Sequence, residues 1–477
     1  MIPFKDNVYP MIIGGEPITS TNTLSVINPS TGEAFATIAD ASNQQVNLAV
    51  ESARNAFRDW SQLAISDRKS LLLRTSEVLE RNIETLAKLL TLEQGKPLKE
   101  SFEEVHLCAQ WFRETAAMEI PSTTLRDDEY RRITTKHVPL GVVGAIVPWN
   151  YPLILATFKL APALLTGNTV VLKPSPFTPL ATIHMVALMH EVLPAGVINV
   201  VTGGDNVGPW ITEHPDINKI TFTGSTQTGK AILRNTSASL KRVTLELGGN
   251  DAALVLMDAD PKTIARDLFW AAFRNNGQIC IAAKRIYVHA SIYDDVASEL
   301  VAYAKTVKMG DGFTDGVQLG PIQNALQYAR IKELLKTSHM AGVRFLTGGD
   351  VPSGPGYFIP PAIADNPQDS LPIVCEEAFG PVVPLLKYHS IEEAISRIND
   401  SIYGLAGSVW GKDLDLAEEI AKKIDSGTIW INTTQELHPR QIFAGHKQSG
   451  LGTENGIEGL LEYTAPHTTV VKKQQHN

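Results

Sequence analysis

At 477 residues the chain is long enough for two or three domains with well-buried cores. Its 42 Lys and Arg against 51 Asp and Glu give a formal charge of −9, with no basic block before Lys472-Lys473, which excludes nucleic acid as a partner. A composition 43% hydrophobic and 19% charged excludes a disordered or fibrous chain, and three scattered cysteines exclude a disulfide framework.

Taken in chain order, residues 1–40 read as short strands and turns, punctuated by Gly14-Gly15 and by the run from Pro29 to Gly32. The first residues carry no basic region ahead of an apolar core, and nowhere do about 18 apolar residues run unbroken. A cytoplasmic protein without membrane contact is expected. Residues 42–115 change to helical spacing, as in Val46, Val50, Ala53, Phe57 and Trp60. Cys108 falls in step with Phe102, Val105 and Phe112, which makes it core. Residues 122–137 are polar and then alternate, the pattern of an edge strand or a projecting hairpin.

From Gly141 onward, strand-like runs alternate with helical ones. The pairs are 142–147 with 153–165, 169–173 with 180–192, and 219–223 with 227–234, with a further strand at 197–202. That rhythm predicts a parallel sheet with helices on both faces, closed by residues 241–247. A second α/β unit follows over about 249–447, with strands at 252–256, 285–289, 404–410 and 428–432.

Three stretches carry candidate chemistry. In Phe273-Arg274-Asn275-Asn276-Gly277-Gln278-Ile279-Cys280 a helical pattern runs into a glycine and delivers a cysteine ahead of a strand. A lone cysteine is ordinarily a small buried hydrophobe; Cys280 becomes a nucleophile only with a proton-handling partner and an oxyanion donor. Val243-Thr244-Leu245-Glu246-Leu247-Gly248-Gly249 places one carboxylate at the end of an apolar strand, either a general base or the partner of a lysine such as Lys241. Val147-Pro148-Trp149-Asn150-Tyr151-Pro152 places a carboxamide between a strand and a helix. No His or Asp is spaced as a triad partner, and the 12 histidines form no metal motif, so no metal is expected.

Between a strand and a helix, Gly224-Ser225-Thr226-Gln227-Thr228-Gly229 leaves backbone N–H groups at a helix N-terminus, where a phosphate is favoured. It departs from the common dinucleotide fingerprint, so on its own a packing turn fits as well. Lys173 ends a buried-looking strand ahead of Ser175, at the sheet edge where open α/β folds bind ligands.

In their order, and with 34 positions between Glu246 and Cys280, these stretches resemble the NAD(P)-dependent aldehyde dehydrogenases. The likeness runs from Asn28-Pro29-Ser30-Thr31-Gly32-Glu33 to the tail. It implies an α/β fold of two Rossmann-related domains with parallel sheets and a small β oligomerisation element. Residues 1–120 and 140–248 would bind the dinucleotide, 249–447 would carry the nucleophile, and 121–139 with 463–477 would form the oligomerisation hairpin and tail. The hairpin would pair with the tail of a neighbouring subunit in a homodimer or homotetramer.

The same resemblance implies roles. Cys280 would attack a small-molecule aldehyde to give a thiohemiacetal and then a thioester; Asn150 and the Cys280 N–H would hold the oxyanion; Glu246 would be the base for deacylation. Lys159 and Glu454 would support Asn150 and relay protons. Lys173, Ser175, Gly224, Ser225, Gly229 and Trp149 would line the cofactor site. In Glu376-Glu377-Ala378-Phe379-Gly380-Pro381, Glu377 would bond the nicotinamide ribose and Phe379 would pack beside it. Much of the family has a glutamate three positions after the lysine; here that position is Pro176, so NAD and NADP are both open. Tyr151, Leu155, Phe158, Ile279, Ile281 and Phe443 would form an apolar substrate tunnel. Whether Gln435-Glu436-Leu437-His438-Pro439-Arg440 meets substrate or solvent stays open. CoA in place of water, or a catalytically silent homologue, are the competing readings; Glu246 argues against the first, and the three candidates together against the second.

Overall fold

The computed structural model describes residues 8–473. Its first sheet is built around five parallel strands, in the order Arg242–Glu246, Lys219–Thr223, Val142–Ile146, Thr169–Lys173 and Ile198–Val200. Their residues are almost wholly buried and rich in Val, Ile and Leu, as strands covered on both faces require. Antiparallel strands finish the two edges: Met11–Ile13 and Glu16–Ile18 at one side, Gly450–Leu451 at the other. The last is an outcome the sequence pattern did not suggest, since a segment beyond residue 447 returns to the first sheet.

Register aligns the carboxyl ends of these strands. Ile146 lies opposite Phe222 and Lys173, and Thr223 lies opposite Glu246. The turns that follow, holding Trp149 and Asn150, Gly224 and Ser225, and Leu247 and Gly248, therefore open on one edge. Four helices, Asn43–Trp60, Ile65–Arg81, Ile83–Gln94 and Leu98–Ala116, fill the region read as helical. Cys108 is buried in their core, as its spacing predicts.

Two buried glutamates from this layer cap sheet-packing helices. Glu104 accepts from the N–H groups of Leu153 and Ile154 at 3.0 and 3.2 Å, at the start of helix Pro152–Leu165. Glu93 does the same for Leu180 and Ala181 ahead of helix Leu180–Met189. Each replaces the short-range cap these helices lack.

The second sheet is parallel except at one edge, in the order Phe345–Thr347, Ala362–Asp365, Val382–Tyr388, Arg285–His289, Ala252–Val255, Ala406–Trp410 and Thr428–Ile431. The strand expected at 404–410 is broken at Leu405, because Tyr403–Gly404 pairs instead with His446–Lys447. The strand expected at 428–432 stops at Ile431, since Asn432 turns left-handed with φ 54°. Only five residues, 247–251, join Glu246 in the first sheet to Ala252 in the second. The amino end of the second sheet is thereby held against the carboxyl edge of the first.

The projecting hairpin is real, with strands Thr123–Asp127 and Arg131–Pro139, but its expected partner needs correction. Strand Thr464–Lys472 of the same chain pairs with it over nine residues, from Thr464 opposite Pro139 to Lys472 opposite Arg131. The preceding helix, Gly456–Leu461, delivers the tail directly to that edge, so no neighbouring subunit is needed to fill it. Contacts between Thr135 and Thr468 and between Lys473 and Asp127 fix the register. Residues 474–477 of the expected tail lie outside the described residues.

Candidate active site

Cys280 reaches the cleft by a strained turn. After helix Pro261–Phe273, Asn275, Asn276 and Gly277 are all left-handed, with φ of 49°, 56° and 74°. Gly277 has no substitute there: a Cβ would stand 2.1 Å from the Gly380 carbonyl. Gln278 locks the turn, donating from Nε2 to the Asn275 carbonyl at 2.9 Å and accepting from the Gln323 N–H at 2.8 Å. Strain of this kind persists only where surrounding bonds over-determine it.

Asn150 belongs to the same network. Its Nδ2 donates to the Gln278 carbonyl at 3.0 Å, two residues before Cys280, while its own carbonyl accepts from Lys96 and Asn275. Its amide oxygen is buried and unpartnered. Glu246 ends its strand beside Thr223, only 5% exposed, and neither carboxyl oxygen makes a hydrogen bond of good geometry. Burial, and then the charge of Glu454, push its pKa up to about 8; Lys159, the Cys280 thiol and the Thr223 hydroxyl act the other way. Burial followed by Glu246 raises the Cys280 thiol well above its usual range. Unpartnered buried oxygens beside a thiol, with a carboxyl raised by burial, make this corner a candidate reaction site.

One expected connection and one alternative do not form. Lys159 and Glu454 do not touch Asn150; Lys159 Nζ bonds Glu454 and, at 2.7 Å, the Thr223 hydroxyl. The pair therefore lies behind Glu246, because Thr223 is its neighbour in register. Nor does Lys241 pair with Glu246, since its ammonium bonds the His214 carbonyl.

One cleft connects Cys280, Glu246 and Asn150 to the cofactor-side candidates Trp149, Gly224, Ser225, Glu377 and Phe379. Trp149 and Phe379 meet edge to face at 5.4 Å. The residues fit a dinucleotide. Ser225 caps helix Thr226–Thr236 by accepting from Thr228, leaving the dipole's positive end toward the cleft. At Gly248 a Cβ would strike Glu377 Oε2 at 2.3 Å, so glycine keeps that carboxylate against the Gly249 N–H. Gly229, by contrast, does not line the cleft: a Cβ there would meet Leu247 at 2.6 Å, so it serves helix-to-strand packing. Lys173 and Ser175 are buried one strand further along the same edge and are not part of the cleft wall. Burial lowers Lys173 to about 8.

Gln327 and Arg330 line the cleft without any signal in the sequence. They stand on helix Ala325–Met340, where Gln327 bonds the carbonyls of Ala378 and Phe379 and Arg330 that of Glu377. Their contacts are to backbone of a distant loop, which no local pattern can announce.

On the other side of the nucleophile, Ile279, Ile281 and Phe443 form an apolar cluster against which Cys280, Tyr151 and Leu437 pack. Leu155 and Phe158 belong to the adjoining core, which Tyr151 and Leu437 also contact. Phe158 stacks on Trp111 at 4.6 Å, and Lys96 sits 3.5 Å over the Tyr151 ring. Along residues 435–440 exposure alternates, with Glu436, His438 and Arg440 exposed and Gln435, Leu437 and Pro439 turned toward the protein. Leu437 packs beside Cys280 and Gln435 bonds the Ala271 carbonyl, while Arg440 pairs with Glu114 at the surface. Among the described residues no cluster of His, Cys, Asp and Glu forms a metal site, and no helix is long and apolar enough to cross a membrane.

The model of the aldehyde dehydrogenase family matches residues 18–469. The phenylacetaldehyde dehydrogenase of Pseudomonas fluorescens is 38% identical over 480 residues, covering 97% of this chain and 96% of the relative. Among solved structures, the NAD+ complex of a Bacillus cereus aldehyde dehydrogenase superposes with a TM-score of 0.95 at 35% identity, covering 98% and 97% of the two chains. Betaine aldehyde dehydrogenase from Staphylococcus aureus, also with NAD+, gives 0.95 at 34% identity, with 98% and 95% covered.

Proposed function

The chain belongs to the aldehyde dehydrogenase family and oxidises an aldehyde to the acid with NAD(P), and we propose that Cys280, Glu246 and Asn150 carry the chemistry. The observation that supports this most is the Cys280 thiol beside a buried, unpartnered carboxyl whose pKa is about 8, on a turn tethered by the Asn150 amide. Glu246 as carboxylate takes the thiol proton, and the thiolate attacks the aldehyde carbon. The second N–H of the Asn150 amide and the Cys280 N–H receive the developing oxyanion. One such donor contributes on the order of 10² to 10³ in rate. A bound NAD(P)+ supplies the acceptor for the hydride, leaving an acyl group on sulfur. Once the thiol proton has passed from Glu246 to solvent, the same carboxylate draws a proton from the water that releases the acid and returns it to the departing sulfur; the ion pair of Lys159 and Glu454 behind it sets how tightly each proton is held.

Transfer of the acyl group to CoA would leave Glu246 without this second task. The substrate class we assign is an aldehyde with an apolar or aromatic tail, because Tyr151, Leu155, Phe158, Ile279, Ile281, Phe443 and Leu437 supply apolar and aromatic walls beside Cys280. A panel of aliphatic, aromatic and semialdehyde substrates, each with NAD and with NADP, tests this by absorbance of the reduced nicotinamide. Cys280→Ala should show neither burst nor turnover while still binding NADH; turnover at the parental rate would remove the nucleophile assignment.

The protein works as a homodimer or homotetramer in this reading. Strand Thr123–Asp127 is exposed throughout, and Leu125 and Val470 are 77% and 60% exposed on a three-stranded sheet with two unpaired edges. Light scattering that returns the mass of a single chain at micromolar concentration would contradict it. All three cysteines are unpaired, in keeping with the reducing cytosol as its location.

A further inference from the structure

The turn that delivers Cys280 contains a charged group for which the mechanism above has no use. Lys284 is 3% exposed, and an ammonium is costly to bury unless hydrogen bonds and opposite charge offset the lost water. Its Nζ donates to the Ile279 carbonyl at 2.5 Å and to the Ala282 carbonyl at 3.4 Å, so one ammonium joins the residues on either side of the nucleophile. The same Nζ lies 5.6 Å from the centre of the Phe379 ring, which lines the cofactor side of the cleft. Phe379 itself is held left-handed, with φ 50°, by the carbonyl bonds from Gln327.

We propose that Lys284 is a positioning residue for Cys280: its ammonium closes the nucleophile turn from both sides and supplies the positive charge that favours the thiolate. The proposal rests on Cys280 being the nucleophile. Glu246 and Asp251 face the sulfur and disfavour its ionised form, Tyr151 faces it as a phenol kept neutral by burial, and Lys284 favours it. Lys284 in turn faces Glu377 and Asp251 as well as Cys280. One ammonium thus connects the turn of the nucleophile with the carboxylate that closes the cofactor side. Loss of the charge should weaken the thiolate, and loss of the two carbonyl bonds should loosen the turn.

The test is alkylation of the full-length enzyme by iodoacetamide across the neutral to alkaline range, with the labelled residue identified by peptide mass spectrometry. It is run on the parent and on Lys284→Met, Lys284→Gln and Lys284→Arg, alongside kcat, KM and NADH binding. The neutral variants should move the midpoint of Cys280 labelling upward by on the order of one pH unit, which is about tenfold less thiolate at neutral pH. The fall should appear in kcat more than in KM, with NADH binding retained, and Lys284→Arg should restore the parental midpoint. Gln keeps N–H donors and carries the same reading should Met prevent folding. A parental midpoint in either neutral variant overturns the proposal, as does lower turnover with an unchanged midpoint. Folding of the Arg variant alone would make the residue structural and overturn it too. If the parent is labelled elsewhere than Cys280 during inactivation, the nucleophile assignment fails instead.

Discussion

Replacing Glu246 by Gln separates the two halves of the reaction. The substitution keeps volume and polarity but removes the base, and general base catalysis contributes roughly 10² to 10⁴ in rate. Thiolate formation can still draw on solvent at alkaline pH, whereas hydrolysis of the acyl group has no other base at hand. Stopped-flow absorbance should therefore show up to one equivalent of reduced cofactor per site, followed by a stall. In the parent, a carboxyl with its midpoint at about 8 is roughly one-tenth ionised at pH 7 and nine-tenths at pH 9, so hydrolysis-limited turnover should climb roughly tenfold between them. The same burial predicts a change in stability. Glu246 loses its proton near 4.5 in an unfolded chain and at about 8 in the fold. Between those values the fold holds a proton that the unfolded chain has lost, so stability falls as pH rises through that window. At about 1.4 kcal/mol per unit the loss approaches 5 kcal/mol at most by pH 8, and glutamine escapes it. The Tm of Glu246→Gln relative to the parent should rise from pH 5 to pH 8 and then level off. Parental steady-state turnover after the first equivalent, or a Tm difference that ignores pH, would refute the reasoning.

Asn150→Ala removes an oxyanion donor and the tether to the Gln278 carbonyl together; kcat should fall by on the order of 10² to 10³ with NADH binding intact, read by steady-state kinetics and fluorescence titration. In Glu454→Gln the like charge that raises Glu246 is gone and Lys159 is freed from its ion pair. The alkaline rise in the pH–rate profile should then move to lower pH; a move to higher pH would contradict the placement of that pair.

How much of this was legible in the sequence varies with the range of the interaction. The strand ending at Lys173 and the runs at 219–223 and 285–289 are found where the pattern of apolar residues places them, because side-chain period is a local property. The motifs place Cys280, Glu246 and Asn150 at turns, and the structure brings those turns to one cleft. Gly229 shares the motif of Gly224 but packs against Leu247, and sequence cannot tell which glycine meets a ligand. The roles given to Lys159 and Glu454 placed them beside Asn150, whereas the register of Thr223 with Glu246 puts them behind the base. Nothing in the sequence marks Lys284, because a lysine beside an arginine at the head of a strand looks like surface, and only packing buries it.

Periodicity, turn residues and motif order by themselves determined that two α/β units follow one another and that a sulfur, a carboxylate and an amide lie at their turns. Tertiary structure alone decided that the amino edge of one sheet closes on the carboxyl edge of the other, that the tail pairs with its own hairpin, and that Gln327, Arg330 and Lys284 hold loops far from them in sequence. The physical reason is one of distance along the chain. Local propensity fixes which residues form an element, but a buried charge or carbonyl finds its partner only when the elements have packed and water has left.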